Sequence, residues 1–174
     1  MNKEQIKLNR NTSCCFTGHR IEKLPWRSDE HDSRCLALKI AIAKAVKDAY
    51  YAGIKHFICG MATGCDMYFC EAVMALRSER EDITLEAALP WDGQASRWPE
   101  ALKARHSRLV EDCDYITVVQ HDYTPDCLMR RNRYMVDCSS RLIAASGGKP
   151  GGTMSTMLYA LREGLEIIEI EIIN

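Results

Sequence analysis

The sequence predicts an α/β fold built on one mainly parallel sheet of about six strands, with helices on both faces. Three observations lead there. Six short apolar runs alternate with longer segments of helical period. Most of the runs are apolar on successive residues rather than on every second one, the pattern of a strand buried on both faces. The length, 174 residues, is close to the ~150 of one domain, so the elements belong to one sheet.

The elements follow in order. The first strand is Ser13–Thr17, carrying Cys14, Cys15 and Phe16. Ile21 to His31, with Pro25 and several charges, reads as an irregular loop where a binding lid would lie. The first helix is predicted from Leu36, Ile40, Ala43, Val46 and Tyr50, one stripe at helical spacing, and Gly53 as its cap. Lys55–Cys59 is the second strand. A helix over about Asp66–Arg80 follows, burying Cys70, Val73, Met74 and the stem of Arg77. Thr84–Leu89 is the third strand, and a helix from Gln94 to Cys113 sets Trp98, Leu102, Leu109 and Cys113 on one side. Tyr115–Val119 is the fourth strand, before a helix carrying Leu128, Met135 and Cys138. Leu142–Ala145 is the fifth. The last helix starts near Thr153, buries Met154, Met157, Leu158 and Leu161, and stops at Gly164 before the strand Glu166–Ile172. Such alternation implies right-handed βαβ units. Residues 1–12 read as an N-terminal tail and 13–174 as the domain, with no second domain or repeat.

Composition narrows the function. Hydrophobic residues are 47% and charged residues 27%, a globular balance. The net charge of −1 lacks the basic surplus of a duplex-DNA binder, so nucleic acid is not the expected partner, although a local basic patch stays open. No run reaches the ~18 apolar residues of a membrane span. The polar start lacks the apolar core of a signal peptide. A soluble, cytoplasmic protein is expected. The nine cysteines include no CxxC pair and no zinc-like His spacing, so no metal site is predicted; they read as buried thiols in a reducing compartment.

In open parallel sheets ligands bind beyond the carboxyl ends of the strands. There the sequence puts Thr17-Gly18-His19-Arg20, Gly60-Met61-Ala62-Thr63-Gly64-Cys65-Asp66, Pro90-Trp91-Asp92-Gly93-Gln94 and Gly147-Gly148-Lys149-Pro150-Gly151-Gly152-Thr153. Glycines let backbone N–H groups approach a phosphate, and the helix start behind adds donors and a positive dipole end. Gly60 with Gly64, and Gly151 with Gly152 and Thr153, therefore read as two anion cradles facing one crevice, or as tight turns alone. Arg20 suits bidentate recognition of phosphate. His19 is an acid, a base or a donor to ligand, or a structural imidazole. Asp66 complements the dipole of its helix, or accepts a ribose hydroxyl. Arg130, Arg131 and Arg133 around Asn132 read as a solvated helix face.

These residues, in this order and spacing, resemble the SLOG superfamily, in particular its YpsA-like branch. The resemblance runs from Phe16-Thr17-Gly18-His19-Arg20 to Gly164. It rests on that motif, on Gly60 to Asp66, on Ala88-Leu89-Pro90 with Gly93-Gln94 and Trp98-Pro99, on Arg131-Asn132 with Met135-Val136-Asp137, and on Pro150-Gly151-Gly152-Thr153. It implies a Rossmann-like domain binding a nucleotide or nucleotide-derived phosphorylated molecule, of the NAD or ADP-ribose type for example. The implied ligand-binding residues are Gly18, His19, Arg20, Gly60, Gly64, Asp66, Gln94, Asn132, Gly151, Gly152 and Thr153. Relatives include cytokinin-activating phosphoribohydrolases and DNA-processing proteins of the DprA type. The hydrolases have a further spaced Gly and a catalytic Glu after the Pro-Gly-Gly turn. Here Met154-Ser155-Thr156-Met157 follows. The expectation is therefore a sensor or regulatory binding module, with a homodimer or protein partner left open. The alternative is a nucleotide N-glycosidase with Asp66 or Asp137 as its carboxylate.

Overall fold

A computed structural model describes residues 9–174. The strands are β1 (Ser13–Gly18), β2 (His56–Cys59), β3 (Thr84–Leu89), β4 (Tyr115–Val118), β5 (Arg141–Ser146) and β6 (Glu166–Glu171). They pair in parallel throughout, in the order β4-β3-β2-β1-β5-β6. The helices are α1 (Ser33–Tyr51), α2 (Cys65–Arg77), α3 (Glu100–Glu111), α4 (Cys127–Asp137) and α5 (Gly152–Arg162). The fold is the Rossmann-like α/β architecture that the sequence predicts.

Helices on both faces explain the continuous apolar runs. One face of the sheet packs against α1, α2 and α3 around Phe16, Phe57 and Phe69. Phe16 stacks on Phe69 at 4.6 Å and Phe57 meets Phe69 edge-on at 6.1 Å. The other face sets Cys15, Ile58, Leu142 and Ala144 against Met135 and Val136 of α4 and Met157 and Ala160 of α5. The edge strand β6 alternates in burial and exposes Glu166, Glu169 and Glu171, charges that discourage pairing with another chain. All nine cysteines are free thiols, and seven are buried.

Several expectations need correction. In α1 the buried stripe is Cys35, Leu38, Ile42, Ala45, Val46 and Ala49, while Leu36 and Ile40 are exposed. In α5 the sheet-facing residues are Thr153, Thr156, Met157 and Ala160, and Leu158 and Leu161 face solvent. Small side chains let that helix lie close to the sheet, so its larger apolar residues are turned out. The third helix begins at Glu100, not Gln94, because Pro99 caps it and turns occupy the residues before. The segment Ile21–His31 is pinned rather than open: Leu24 and Trp26 are buried in the core. Of the expected tail, residues 1–8 lie outside the described residues. Arg10 is docked, its Nε donating to the Ser139 carbonyl at 2.9 Å.

The topology makes the site. From β1 the chain steps outward to β2, β3 and β4, then returns to β5 on the other side of β1. The segments leaving β1 and β5 diverge there, which opens a crevice at their carboxyl ends. One wall is α4, tied to the sheet by Tyr134, whose hydroxyl donates to Glu86 of β3. Glu86 is buried and also accepts from Thr117 at 2.7 Å and His56 Nε2 at 2.8 Å. Burial alone would raise its pKa. The hydrogen bonds from His56, Tyr134 and Thr117 outweigh it and hold the carboxyl below its ordinary value.

Candidate anion-binding crevice

The crevice has a volume of about 280 Å³. Thr17, Gly18, His19, Arg20 and Lys23 line it from the β1 side, Ala62 and Asp66 from the α2 side, Arg131 and Asn132 from α4, and Gly152 and Thr153 from α5. Of the expected ligand-binding residues, Gly18, His19, Arg20, Asp66, Asn132, Gly152 and Thr153 thus share one cavity.

His19 ties the two sides of the switch point together. Its Nε2 accepts the Gly147 N–H at 3.0 Å, and its Nδ1 lies 3.3 Å from Thr153 Oγ1. With Nε2 as acceptor, a neutral imidazole carries its proton on Nδ1 and donates to Thr153. The Thr153 hydroxyl proton is then free to point at a ligand. Burial lowers the pKa of His19, with Lys23 and Lys149 acting in the same direction. The neutral form is therefore favoured in the fold. Its stabilisation is complete above the ordinary value of 6.5 and is lost as the pH falls below it, because the unfolded chain takes the proton first. An NMR titration of the His19 ring should show a midpoint below 6.5 and the Nδ1–H tautomer. A midpoint above 6.5 would contradict this arrangement.

The start of α5 is open. Gly151 supplies no side-chain cap, and no described group accepts from the N–H of Gly152, Thr153 or Met154. Beside these donors stand Arg20 and Lys23, neither in an ion pair among the described residues. The crevice has a single carboxylate, Asp66, which is buried and accepts the Ala62 N–H at 3.0 Å. Burial pushes its pKa up, against the pull of Arg131, the Ala62 N–H and Arg20. Three cationic side chains, Arg20, Lys23 and Arg131, thus line the crevice against one carboxylate, although the chain as a whole carries −1.

The two glycine turns are not equivalent. At the Gly60–Gly64 turn the backbone packs on protein. A Cβ on Gly64 would lie 2.8 Å from the His19 carbonyl oxygen, and the Cys65 N–H is already donated to that oxygen at 3.1 Å. The Gly60 carbonyl accepts from Arg131 Nη1 and from Gln94 Nε2 at 3.0 Å. Gly60, Gly64 and Gln94 therefore shape the crevice from behind without lining it. Gln94 is buried and lines a separate pocket with Trp91, Trp98 and Tyr123. Gly151 does not line the crevice but precedes Gly152, which does, and a Cβ on it would lie 2.8 Å from Lys23 Nζ. Asp137 is not brought there: its carboxylate accepts the Tyr159 hydroxyl at 2.8 Å.

Arg131 is the residue that the sequence reading misplaced. It is not on a solvated face but 4% exposed, with Nε donating to Asn132 Oδ1 at 2.8 Å and Nη1 reaching the Gly60 and Ala88 carbonyls. The signal was its spacing: Leu128, Arg131 and Met135 follow at 3 and 4 residues, on the helix face turned to the sheet. Lys23 was missed as well, because its place beside the crevice depends on how the segment after β1 folds back.

A six-stranded parallel sheet covered by helices on both faces, with a crevice at its switch point, defines a Rossmann-like domain. Residues 14–163 match the YspA SLOG family model (YpsA), and the chain belongs to that family. It is 28% identical to a UPF0398 protein of Oceanobacillus iheyensis over 127 residues, 71% of this chain and 68% of the relative. Its fold is similar to that of DNA processing protein A from Helicobacter pylori, a single-stranded-DNA binder, with a TM-score of 0.61 at 16% identity over 93% of this chain. It is also similar to the Streptococcus pneumoniae DNA processing protein A, with a TM-score of 0.59 at 13% identity over 91% of this chain. The chain spans 66% of the Helicobacter protein and 50% of the pneumococcal one. No described helix is long and apolar enough to cross a membrane. Among the described residues no cluster of three His, Cys, Asp or Glu is placed to hold a metal ion.

Proposed function

We propose that the crevice binds a nucleotide or nucleotide-derived phosphorylated small molecule, of the kind represented by NAD or ADP-ribose, and that the protein serves as a cytoplasmic sensor or regulatory module. The observation that carries this reading is the set of unpaired donors at the start of α5, with Arg20 and Lys23 beside them. A phosphate placed there would meet the backbone donors, the Thr153 hydroxyl and the guanidinium together.

The test is calorimetry with inorganic phosphate, ribose 5-phosphate, nucleoside monophosphates, ADP-ribose, NAD and a single-stranded oligonucleotide. Arg20→Ala should weaken the ligands that bind by about 1.5–3 kcal/mol, the worth of a charged hydrogen bond. Unchanged affinity for every ligand that the wild type binds would overturn the reading.

Glycosidic cleavage is not expected. An oxocarbenium-like state needs an ionised carboxylate beside the sugar. None follows Thr153 in the turn, Asp66 is buried with its carboxylate accepting the Ala62 N–H, and Asp137 is bonded to Tyr159. Pure protein should release no free base from nucleoside monophosphates; steady release would establish the enzymatic alternative.

A further inference from the structure

The outer edge of the sheet is built for contact as well. β6 pairs with β5 alone, so its other side is free. The N–H groups of Glu166 and Ile172 are donated inward, to the Ser140 and Ser146 carbonyls. Backbone groups alternate in direction along a strand, so those of Ile167, Glu169 and Glu171 point outward, where no described group bonds them. Beside this edge lies a cavity of about 360 Å³ between α1 and β6, lined by Trp26, Ala37, Leu38, Ala41, Ile170 and Ile172. Ala37 and Ala41, about one helical turn apart, are too small to close the space between helix and strand. Side chains also alternate along β6. Ile168 and Ile170 pack toward α1. Glu169 and Glu171, on the other face, are exposed; Glu166 is paired with Arg141, but these two carboxylates have no ion-pair partner among the described residues.

We propose that this edge docks an extended segment of a partner protein in which apolar and basic residues alternate. The segment adds to the sheet as a strand beside β6. Its backbone takes up the outward groups of Ile167, Glu169 and Glu171. Its apolar side chains enter the cavity against Ala37, Ala41 and Ile170, and its lysines or arginines meet Glu169 and Glu171 on the opposite face. Charge selects the occupant. Glutamates along a free edge turn most strands away. A second copy is among those excluded, because pairing β6 with β6 brings the glutamates of both copies together. A basic strand converts the same charges into cross-strand ion pairs. Arg34, the cation at the cavity, is already paired with Asp32 at 2.8 Å and does not oppose it. The site is independent of the crevice and of what binds there.

The test is fluorescence anisotropy on the whole protein with a labelled peptide of alternating valine and lysine, long enough to cover β6. The comparison peptides alternate valine with glutamate and serine with lysine. Two further versions of the probe are N-methylated, one on its lysines and one on its valines. The probe should bind at least ~10-fold more tightly than the glutamate and serine peptides. One of the two methylated versions should lose at least ~10-fold in affinity, because one set of donors faces β6. Glu169→Lys combined with Glu171→Lys, both at exposed positions, should reverse the preference between the lysine and glutamate peptides. Amide exchange at Ile167, Glu169 and Glu171 should slow when the probe is bound. Equal affinity for the lysine and glutamate peptides, full binding by both methylated versions, or no binding up to ~1 mM would overturn the proposal. So would a dimer in light scattering that excludes the probe, which assigns the edge to a second copy. Binding that appears only when residues 1–8 are removed would assign it to the chain's own start and overturn the proposal too.

Discussion

Arg131→Met should lower the unfolding free energy by about 3–5 kcal/mol, the cost of removing one partner from a buried charged arrangement. The guanidinium is buried and bonded to the Gly60 and Ala88 carbonyls and to Asn132. It is also the strongest counterweight to the burial of the Asp66 carboxylate. Methionine fills the space but takes away the largest counterweight to the burial of Asp66, leaving the Ala62 N–H and Arg20, so the carboxylate is held at a greater cost. The Gly60 carbonyl keeps Gln94 as a donor, which limits the damage there. Adding Asp66→Asn should recover part of the loss, because the carboxylate held at that cost is then gone. Urea unfolding of the single and double variants near pH 7 measures both terms. A loss under ~1 kcal/mol for Arg131→Met would mean that the residue behaves as a surface arginine.

Gly64→Ala should cost about 2–5 kcal/mol, through backbone strain and overpacking together. Gly64 has φ 80° and ψ −123°, a region closed to residues with a Cβ. The new methyl would lie 2.8 Å from the His19 carbonyl oxygen and 2.9 Å from the Ile21 nitrogen. Both are backbone atoms, held by β1 and the turn after it, so neither moves cheaply. Gly152→Ala is the contrast. Nothing lies within 4 Å of its Cβ and its φ is not positive, so stability should stay within about 0.5 kcal/mol of wild type. Thermal unfolding of the two variants separates a glycine required by packing from one that leaves space open. Equal stability would contradict the difference.

The sheet was legible because a strand covered on both faces has to be apolar on successive residues, as Cys14-Cys15-Phe16 and Phe57-Ile58-Cys59 are. The places where glycine turns and polar groups leave the strands were legible for the same reason. Helix faces were not. In α1 two interleaved sets of apolar residues compete, and the sheet takes Cys35, Leu38 and Ile42 rather than Leu36 and Ile40. In α5 close packing selects Thr156 and Ala160 over Leu158 and Leu161. The candidate site divides along a similar line. Arg20, His19, Asp66 and Thr153 were found because each follows a strand or opens a helix. What Gly60, Gly64 and Gln94 touch depends on elements distant in sequence, and no local pattern carries it. Arg131 was hidden by the two exposed arginines around it.

The most direct measurement is a crystal structure of the protein with a saturating nucleoside monophosphate. The phosphate should lie at the start of α5, taking hydrogen bonds from the backbone N–H of Gly152 and Thr153, the Thr153 hydroxyl and the Arg20 guanidinium. A nucleotide bound elsewhere on the molecule, or a crevice left empty at saturation, would contradict the assignment of the switch-point crevice as the ligand site.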